Sequence, residues 1–368
     1  MTEPVSVARP EVSQQSSLRR REIPAALAPA LVGLLCLAVA GVADAVMRHE
    51  TGATGDEPFY IRMATHPGGP HSFPYAYRVA VPWLVHVLPF SQVVSFQLVA
   101  LLAIGACGAA MYALLRDFEA APWLATALAV GLAISPNLLV VLLRHGRSID
   151  PAVTLVMILG SLFIVRRDRL ALAITILIGV AVKETSLFLI PFAYAVWART
   201  PVDRVALRDT VLVAAAPIAG YVALRVLISA VGSQYTPGYS GPFLSTRLHV
   251  LGQVFTGVEL RRLAYAFGPL WLVAPFALKD LSFARRGLVL VALCVAAMTV
   301  SYDAGRIIFL AAPVFYVASA WVVRLRRRLA VITVAAVFAL DVGYGIYLQA
   351  HGVQHGIDST PASPIRVY

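Results

Sequence analysis

Two adjacent carboxylates, Asp56 and Glu57, stand in the polar sequence Gly55-Asp56-Glu57-Pro58-Phe59-Tyr60, just after the first long apolar run of the chain. One interpretation is a helix start, with Asp as the cap, Pro in the first turn and negative charge at the positive end of the helix dipole. The other is chemical, because a carboxylate at a membrane surface can act as a general base toward a hydroxyl. The two are compatible, since a capping residue at the mouth of a cavity can also be a base.

Other ionisable residues interrupt apolar sequence at several distant points. Each has a structural explanation: arginines can snorkel to lipid headgroups, Asp150 before Pro151 can start a helix, and Lys183 can pair with Glu184. Taken together they indicate a site, because ionisable groups at membrane depth are costly and usually functional. The residues concerned are Arg62, His66, His71, Arg78, Arg144, His145, Arg147, Asp150, Lys183, Glu184, Tyr302, Asp303 and Arg306.

The composition is that of a polytopic membrane protein. Of 368 residues, 59% are hydrophobic and 13% are charged, whereas a soluble domain carries about 25% charged residues. The net charge of +11 sits mostly in short clusters between apolar runs, which is typical of topology signals and not of nucleic-acid binding. The three cysteines lie within apolar runs and show neither metal-ligand spacing nor a disulfide framework. We interpret them as small core residues.

The apolar stretches predict an all-α fold with about eleven transmembrane helices and no large soluble domain. Several stretches are shorter than the roughly 20 residues of a straight span, and short or broken helices are tolerated where they line a cavity in the protein. No internal repeat is visible, which argues against an inverted-repeat transporter. The stretches are 24–46, 93–115, 121–143, 150–165, 170–182, 187–198, 209–231, 264–278, 287–300, 307–323 and 329–348.

The basic residues predict the orientation. With a cytoplasmic N-terminus and alternating spans, inner segments hold 18 of the 30 Lys and Arg residues, in dense clusters beside the spans, as the positive-inside rule expects. This alternation of inner and outer segments requires 170–182 and 187–198 to be two short passes, split at Lys183-Glu184-Thr185-Ser186. The C-terminus is then extracytoplasmic.

The same alternation predicts the layout of the chain in a cell membrane. Residues 1–22 form a disordered cytoplasmic tail, 23–349 the transmembrane catalytic domain and 350–368 a short outer tail. Loop 232–263 is expected to cover the cavity and contact an acceptor, although its aromatic residues equally suit a headgroup belt. The outer loops, which hold the ionisable residues named above, are 47–92, 144–150, 183–186, 232–263 and 301–306.

Several short motifs resemble those of membrane glycosyltransferases of the GT-C type, a superfamily that includes the protein O-mannosyltransferases and the lipid A aminoarabinose transferases. The pattern Asp56-Glu57-x-x-Tyr60-x-x-x-Ala64 after the first span is similar to their Asp-Glu motif. The segment Pro74 to Pro82, Lys183-Glu184-Thr185 at a broken helix, and Asp303-Ala304-Gly305-Arg306 before an apolar run fit the same pattern. The chain lacks the large outer C-terminal domain of many relatives, which leaves the choice of acceptor open.

The resemblance implies transfer of a hexose or pentose, usually with inversion, from a polyprenyl phosphate carrier to a hydroxyl of a lipid, glycan or protein. Asp56 would be the base and Glu57 its catalytic neighbour. The carrier phosphate would be held by Lys183, Arg306, Arg78, Arg144 and Arg147. Supporting or acceptor contacts would come from Tyr60, His71, His145, Glu184, Asp303 and Tyr302. No cofactor is implied; His66, His71 and His145 could form a divalent-metal site, but no ligand spacing supports one.

Two other classes of function remain open at the level of sequence. A transporter or lipid flippase could use buried Lys, Arg and Asp residues to bind its substrate, although transporters bind near the midplane and these residues gather at one face. A ligase or polymerase of lipid-linked glycans also uses outer arginines, and the early Asp-Glu pair argues against it. Release of free polyprenyl phosphate from a sugar-linked donor distinguishes a transferase from a flippase.

Overall fold

The computed structural model describes residues 27–50, 52, 55–233, 256–298 and 304–353. The predicted tail 1–22, most of the tail 350–368, much of loop 232–263, and both Tyr302 and Asp303 lie outside these described residues. Within them, the prediction of an all-α membrane protein is confirmed. Four helices are long and apolar enough to cross a membrane, or six if each of two bent helix pairs is one span.

Each predicted apolar stretch is largely helical, with α-helices separated by short turns. The bounds of the helices are α1 Ala28–Val46, α2 Glu57–Thr65, α3 Ala80–Val87, α4 Gln92–Asp117, α5 Pro122–Ala133, α6 Pro136–Leu143, α7 Asp150–Arg166, α8 Arg169–Val182, α9 Leu189–Trp197, α10 Arg204–Leu227, α11 Gly257–Phe267, α12 Leu270–Val273, α13 Ser282–Met298, α14 Ala304–Phe309, α15 Ala312–Val323 and α16 Arg327–His351. Short 3-10 helices cover Tyr75–Tyr77, Glu184–Phe188 and Ala274–Leu278.

Small residues let α1 and α4 pack closely. A side chain at Gly108 would collide with Cys36, and one at Gly33 would come within 3.0 Å of Ala109. Glycine and other small residues are the usual means of close helix contact in membranes. Cys36, like Cys107 and Cys294, is a buried free thiol, so the cysteines are core residues as the sequence indicated.

The helices have two common ends, which α7 defines. Its 17 residues span about 25 Å. At its C-terminal end, Arg166 pairs with Asp117 of α4 at 2.7 Å, and Ile164 accepts a 2.9 Å hydrogen bond from the indole of Trp197. At its N-terminal end, Asp150 lies 3.7 Å from Lys183. We call these the Arg166 end and the Asp150 end.

The chain reverses direction between α8 and α9. The α8 helix starts at the Arg166 end, reaches the Asp150 end at Lys183, and is followed by the 3-10 helix; α9 then returns to place Trp197 beside Ile164. The start of α10 lies at the Arg166 end too, because Asp209 pairs with Arg169 at 2.7 Å. Lys183 and Glu184 therefore form the tip of a helical reversal.

The region predicted as an outer loop over 47–92 has regular structure along much of its length. It contains α2, a 3-10 turn, α3 and the strand β1 (His71–Phe73), which pairs in parallel with β2 (Ala230–Ser233). The α2 helix begins at Glu57, and Pro58 follows in its first turn. Proline is tolerated there because backbone N–H groups of the first turn have no partner within the helix. This short helix carries both members of the Asp56-Glu57 pair to the Asp150 end.

Candidate functional site

Charged side chains from segments far apart in sequence meet at the Asp150 end. They form three ion-pair groups: Asp56, Asp150, Lys183 and Arg306; Glu50, Glu57, Arg144 and Arg147; and Arg78 with Glu184. The groups are linked through the backbone, because Asp56 is followed by Glu57 and Lys183 by Glu184. The members are Glu50, Asp56, Glu57, Arg78, Arg144, Arg147, Asp150, Lys183, Glu184 and Arg306. We call this set the charged cluster. Its five cations face five carboxylates.

Asp56 occupies the capping position of α2, but its side chain makes no hydrogen bond to the helix backbone. Its Oδ1 instead accepts a 2.7 Å hydrogen bond from the Tyr75 hydroxyl, and its Oδ2 lies 3.5 Å from Arg306 Nη2. Burial and the Asp56 charge raise the pKa of Tyr75, so that phenol stays a proton donor to the carboxylate. The Asp56 side chain is thus committed to the charged cluster and not to capping.

Glu57 faces the other side of α2, since successive helix residues are about 100° apart. Its carboxylate lies 3.8 Å from Arg144 and 3.9 Å from Arg147, and Arg144 also lies 3.5 Å from Glu50. The Arg144 and Arg147 side chains are only 9% and 11% exposed. These arginines therefore do not snorkel into solvent; they hold the end of α6 to the start of α2.

Asp150 is the meeting point of the two predicted phosphate ligands. Its Oδ2 lies 2.5 Å from Arg306 Nη2 and accepts a 2.8 Å hydrogen bond from Ser148, while Oδ1 faces Lys183 Nζ at 3.7 Å. Burial lowers the pKa of Lys183 although the Asp150 charge opposes this. Arg306 also contacts Asp56. Its guanidinium therefore links Asp56 to the pair formed by Asp150 and Lys183.

Arg78 and Glu184 form the best-aligned pair of the cluster. Arg78 donates to Glu184 through Nη2 at 2.7 Å and Nε at 3.1 Å, a bidentate geometry typical of strong arginine–carboxylate pairs. Its Nη1 donates to the Tyr60 hydroxyl at 3.2 Å. Burial opposes ionisation of Glu184, but the Arg78 charge and hydrogen bonds outweigh it and lower the pKa of Glu184 to about 2. The cation that pairs with Glu184 is thus Arg78, and Lys183 pairs with Asp150.

Exposure distinguishes the acids of the cluster from one another. The side chain of Asp56 is 28% exposed, against 13% for Asp150 and 6% for Glu57; Glu184, at 32%, is as open as Asp56 but is held by Arg78 in a bidentate pair. Its contact with Arg306 is also longer than that of Asp150, 3.5 Å against 2.5 Å. Asp56 is consequently more open to an incoming molecule than Asp150 and Glu57 are, and its ion pair is the looser of the two.

Two predicted residues have other surroundings. His71 is buried in β1, its Nε2 has no hydrogen-bond partner within the described residues, and burial lowers its pKa. His145 lies next to Arg144 in sequence, but its ring stacks on His49 at 4.8 Å. Burial and the Arg147 charge lower its pKa. The structure gives neither imidazole a contact with Asp56, and Tyr302 and Asp303 cannot be placed because they lie outside the described residues.

The structure adds three residues that the sequence did not assign to the site, Glu50, Tyr75 and Ser148, and it gives Asp150 a central position for which the sequence predicted no specific role. Asp150 stands among the outer polar residues of the sequence, but the proline after it favoured a helix start. In the structure Ile149 takes the capping position and Asp150 begins α7. Tyr75 lies in the same tyrosine-rich segment as Arg78, and that proximity is the signal that could have identified it.

In the described part of the chain, no group of three or more His, Cys, Asp or Glu side chains is arranged to hold a metal ion. The cluster instead pairs its carboxylates with Arg and Lys. Such an arrangement can hold an anion and place a carboxylate beside it.

No protein-family model matches the chain, and no curated protein matches it.

Proposed function

We propose that this protein is a membrane glycosyltransferase of the GT-C type, which moves a sugar from a polyprenyl phosphate carrier to a hydroxyl acceptor. The observation that carries the proposal is the placement of Asp56. Its carboxylate is partly open, is not used as a helix cap, and lies against the guanidinium of Arg306 in a cluster of buried cations. A base beside an anion site is what transfer from a phosphate ester requires.

In the proposed reaction the acceptor hydroxyl attacks the anomeric carbon of the donor sugar. As the new C–O bond forms, the hydroxyl proton passes to the Asp56 carboxylate. The bond between the anomeric carbon and the phosphate oxygen breaks, and its electron pair leaves with the polyprenyl monophosphate. The atoms balance without an oxidant or reductant, and attack from the opposite face inverts the anomeric centre.

The leaving phosphate needs preorganised positive charge, which Arg306 and Lys183 can supply. Both already face the same carboxylate, Asp150, at 2.5 Å and 3.7 Å. A phosphate that takes the place of Asp56 beside Arg306 would free Asp56 to accept a proton. Arg78, Arg144 and Arg147 pair with Glu184, Glu50 and Glu57 in the two ion-pair groups that do not contain Asp56, so we assign them to shaping the site and adding to its field.

The carrier chain requires an apolar surface next to the site. The α3 helix, which follows the Arg78 segment, exposes Trp83, Leu84 and Val87, and Phe90 is exposed just after its end. We assign this face to lipid or to the prenyl chain. An apolar chain along α3 would bring its phosphate to the Asp150 end.

The proposal includes the finer topology. Eleven passes, with the short helices α8 and α9 as two of them, place the N-terminus in the cytoplasm and the Asp150 end outside. The Arg166 end, rich in Arg, then follows the positive-inside rule. Both helices run between the two ends that α7 defines, which supports counting them separately.

The experiment is a donor-cleavage assay on purified protein in lipid nanodiscs. Polyprenyl phosphate esters of mannose, glucose and arabinose serve as donors, and membranes from a strain that lacks the protein supply acceptors. The wild type should release free polyprenyl phosphate from at least one donor. Asp56→Asn should bind that donor and fold normally but turn over about 10²–10⁴-fold more slowly, the usual worth of a positioned base.

Asp168→Asn is the matched control. Asp168 caps α8 at the Arg166 end by accepting from the Ala171 backbone at 3.0 Å, and Asn caps equally well, so its activity should equal that of the wild type. A wild-type protein that binds donors and leaves them intact would indicate the flippase or transporter alternative. Wild-type speed in Asp56→Asn would refute the assignment of Asp56 as base.

A further inference from the structure

The span formed by α5 and α6 is broken just before the charged cluster. The two helices meet at a 44° bend, at Ser135-Pro136, where the proline cannot continue the hydrogen bonds of the preceding helix. Broken helices at membrane depth occur where they line a cavity. The break brings the polar residue Asn137 to the first turn of α6.

A small pocket lies beside this break, between α6, α7 and α14; its free volume of about 10 Å³ admits one group of the size of a water or hydroxyl. Its polar lining consists of Asn137, Asp150, Thr154 and Arg306, and apolar side chains of the same three elements complete it. Asp150 and Arg306 are the pair that connects to Asp56. The pocket is therefore continuous with the charged cluster and lies behind the candidate base.

Asn137 is the unexplained member of this lining. It is 4% exposed, and neither its amide nitrogen nor its amide oxygen has a hydrogen-bond partner within the described residues. Leaving a buried amide unpaired costs free energy, because its hydrogen bonds to water are lost and not replaced. An apolar residue would satisfy the fold at this position, so the amide calls for a partner that the described residues do not supply.

The chemistry of the amide selects the kind of partner. It offers one acceptor and two donors, which matches a hydroxyl group, because a hydroxyl both donates and accepts. A fully ionised phosphate only accepts, and the Asn carbonyl would face its negative charge. The cations of the neighbouring cluster suit the phosphate instead.

We propose that Asn137 recognises a hydroxyl of the sugar that is transferred, with Asp150 and Thr154 at the sides of the same pocket. This inference rests on the proposed function, since it assumes a sugar-phosphate donor. It assigns the two parts of that donor to adjacent places. The phosphate binds at Arg306 and Lys183, and the sugar points past Arg306 toward the break in the α5–α6 span.

The test compares binding of farnesyl phosphate with binding of its mannosyl, glucosyl and arabinosyl esters to the protein in nanodiscs. The wild type should prefer at least one ester. Asn137→Leu keeps the size of the side chain and removes both polar atoms, so it should bind farnesyl phosphate normally and lose about tenfold in affinity for the ester, the worth of about one hydrogen bond. Its melting temperature should equal or exceed that of the wild type.

Ser135→Ala is the control, because Ser135 is equally buried and its hydroxyl has no partner in the part of the chain that the structure describes, but it does not line the pocket. It should leave the preference for the ester unchanged. A second measurement avoids mutation: among singly deoxygenated esters, one should bind the wild type about as weakly as the parent ester binds Asn137→Leu. The same deoxy ester should bind Asn137→Leu with the same affinity as it binds the wild type.

Each outcome decides one of the two proposals. An Asn137→Leu protein that keeps the full preference for the ester, or that loses affinity for both ligands equally, overturns the role of Asn137. If all deoxy esters bind the wild type like their parent, it is overturned as well. A wild type that binds neither ligand refutes the proposed function together with this inference, whereas binding with the expected preference but without cleavage refutes the transferase alone.

Discussion

At the scale of single residues, Arg306 is the side chain on which the others depend. It contacts both Asp56 and Asp150, and it lies within hydrogen-bond reach of Ser148, at 3.5 Å. Asp150 has Lys183 as a second cation, whereas Asp56 has Tyr75 as a neutral donor. Loss of Arg306 would therefore affect the electrostatics of the base more than those of Asp150.

Replacing Lys183 or Arg306 by Gln should weaken both donor binding and turnover, by about 2–4 kcal/mol where a charge-assisted phosphate contact is lost. Gln keeps hydrogen-bonding capacity and much of the volume but removes the positive charge. Donor affinity and the rate of polyprenyl phosphate release are the measurements.

Arg166→Gln provides the comparison, because it removes a cation at the opposite end of the helices. There Arg166 pairs with Asp117 at a distance of 2.7 Å. That pair is half exposed and should contribute little, so binding and rate should stay near wild-type values. Unchanged activity in both Lys183→Gln and Arg306→Gln would return these residues to the role of structural ion pairs.

At the scale of elements, the reversal formed by α8, the 3-10 helix and α9 depends on a close contact at Gly179. A Cβ built there would lie 2.7 Å from Ser186 and 2.7 Å from Val156, closer than real Cβ atoms approach their neighbours. Hydrogen at this position lets α8 lie against the tip of the reversal and against α7 at once. Lys183, one turn further on, takes its place from that packing.

Gly179→Ala should therefore displace the tip, lower the melting temperature and weaken donor binding. Overpacking of this kind typically costs about 1–3 kcal/mol. Gly41→Ala in α1 is the counterpart: a Cβ there meets no atom within 4 Å, and alanine favours a helix over glycine by about 1 kcal/mol. Thermal unfolding in detergent should show the two variants moving in opposite directions, and a Gly179→Ala protein as stable as the wild type would contradict the packing account.

The sequence predicted some of these features and not others, for physical reasons. Long apolar runs determine helices locally, so α1, α4, α10 and α16 could be predicted directly. The types of Asp56, Lys183 and Arg306 indicated a site because charge is rare in such a chain. Their partners could not be predicted. Glu184 pairs with Arg78 and not with its sequence neighbour Lys183, and that choice depends on contacts between distant segments. Asn137 gave no signal, because a lone amide in an apolar run acquires meaning only beside a pocket.

At the scale of the whole molecule, the two common ends of the helices differ in how their charge is paired. At the Asp150 end, each cation of the cluster is matched by a carboxylate, and the cations are 8–18% exposed. At the Arg166 end, several arginines are largely exposed; the side chains of Arg169 and Arg208 are 50% and 69% exposed. Exposed arginines next to spans suit the cytoplasmic side of a membrane, and a paired cluster suits a site that an anion enters.

Topology mapping should therefore place the two ends on opposite sides of the membrane. Tags within 166–169 and 324–328 should report a cytoplasmic position, and a tag at 240 or at the C-terminus an extracytoplasmic one. Protease protection or cysteine labelling in intact cells can measure this, with a tag in the N-terminal tail as the internal reference for the cytoplasm. A cytoplasmic C-terminus would break the alternation and contradict an outer location of the Asp150 end.

The sharing of Arg306 between Asp56 and Asp150 has a consequence for biosynthesis. Both carboxylates are translated early, whereas their common guanidinium leaves the ribosome only when most of the helices have been made. Without Arg306, Asp56 keeps its hydrogen bond from Tyr75, and Asp150 keeps its contacts with Lys183 and Ser148. The insertion of α14 therefore completes the site, and a nascent chain arrested before Ala304 would carry both acids without the residue that joins them.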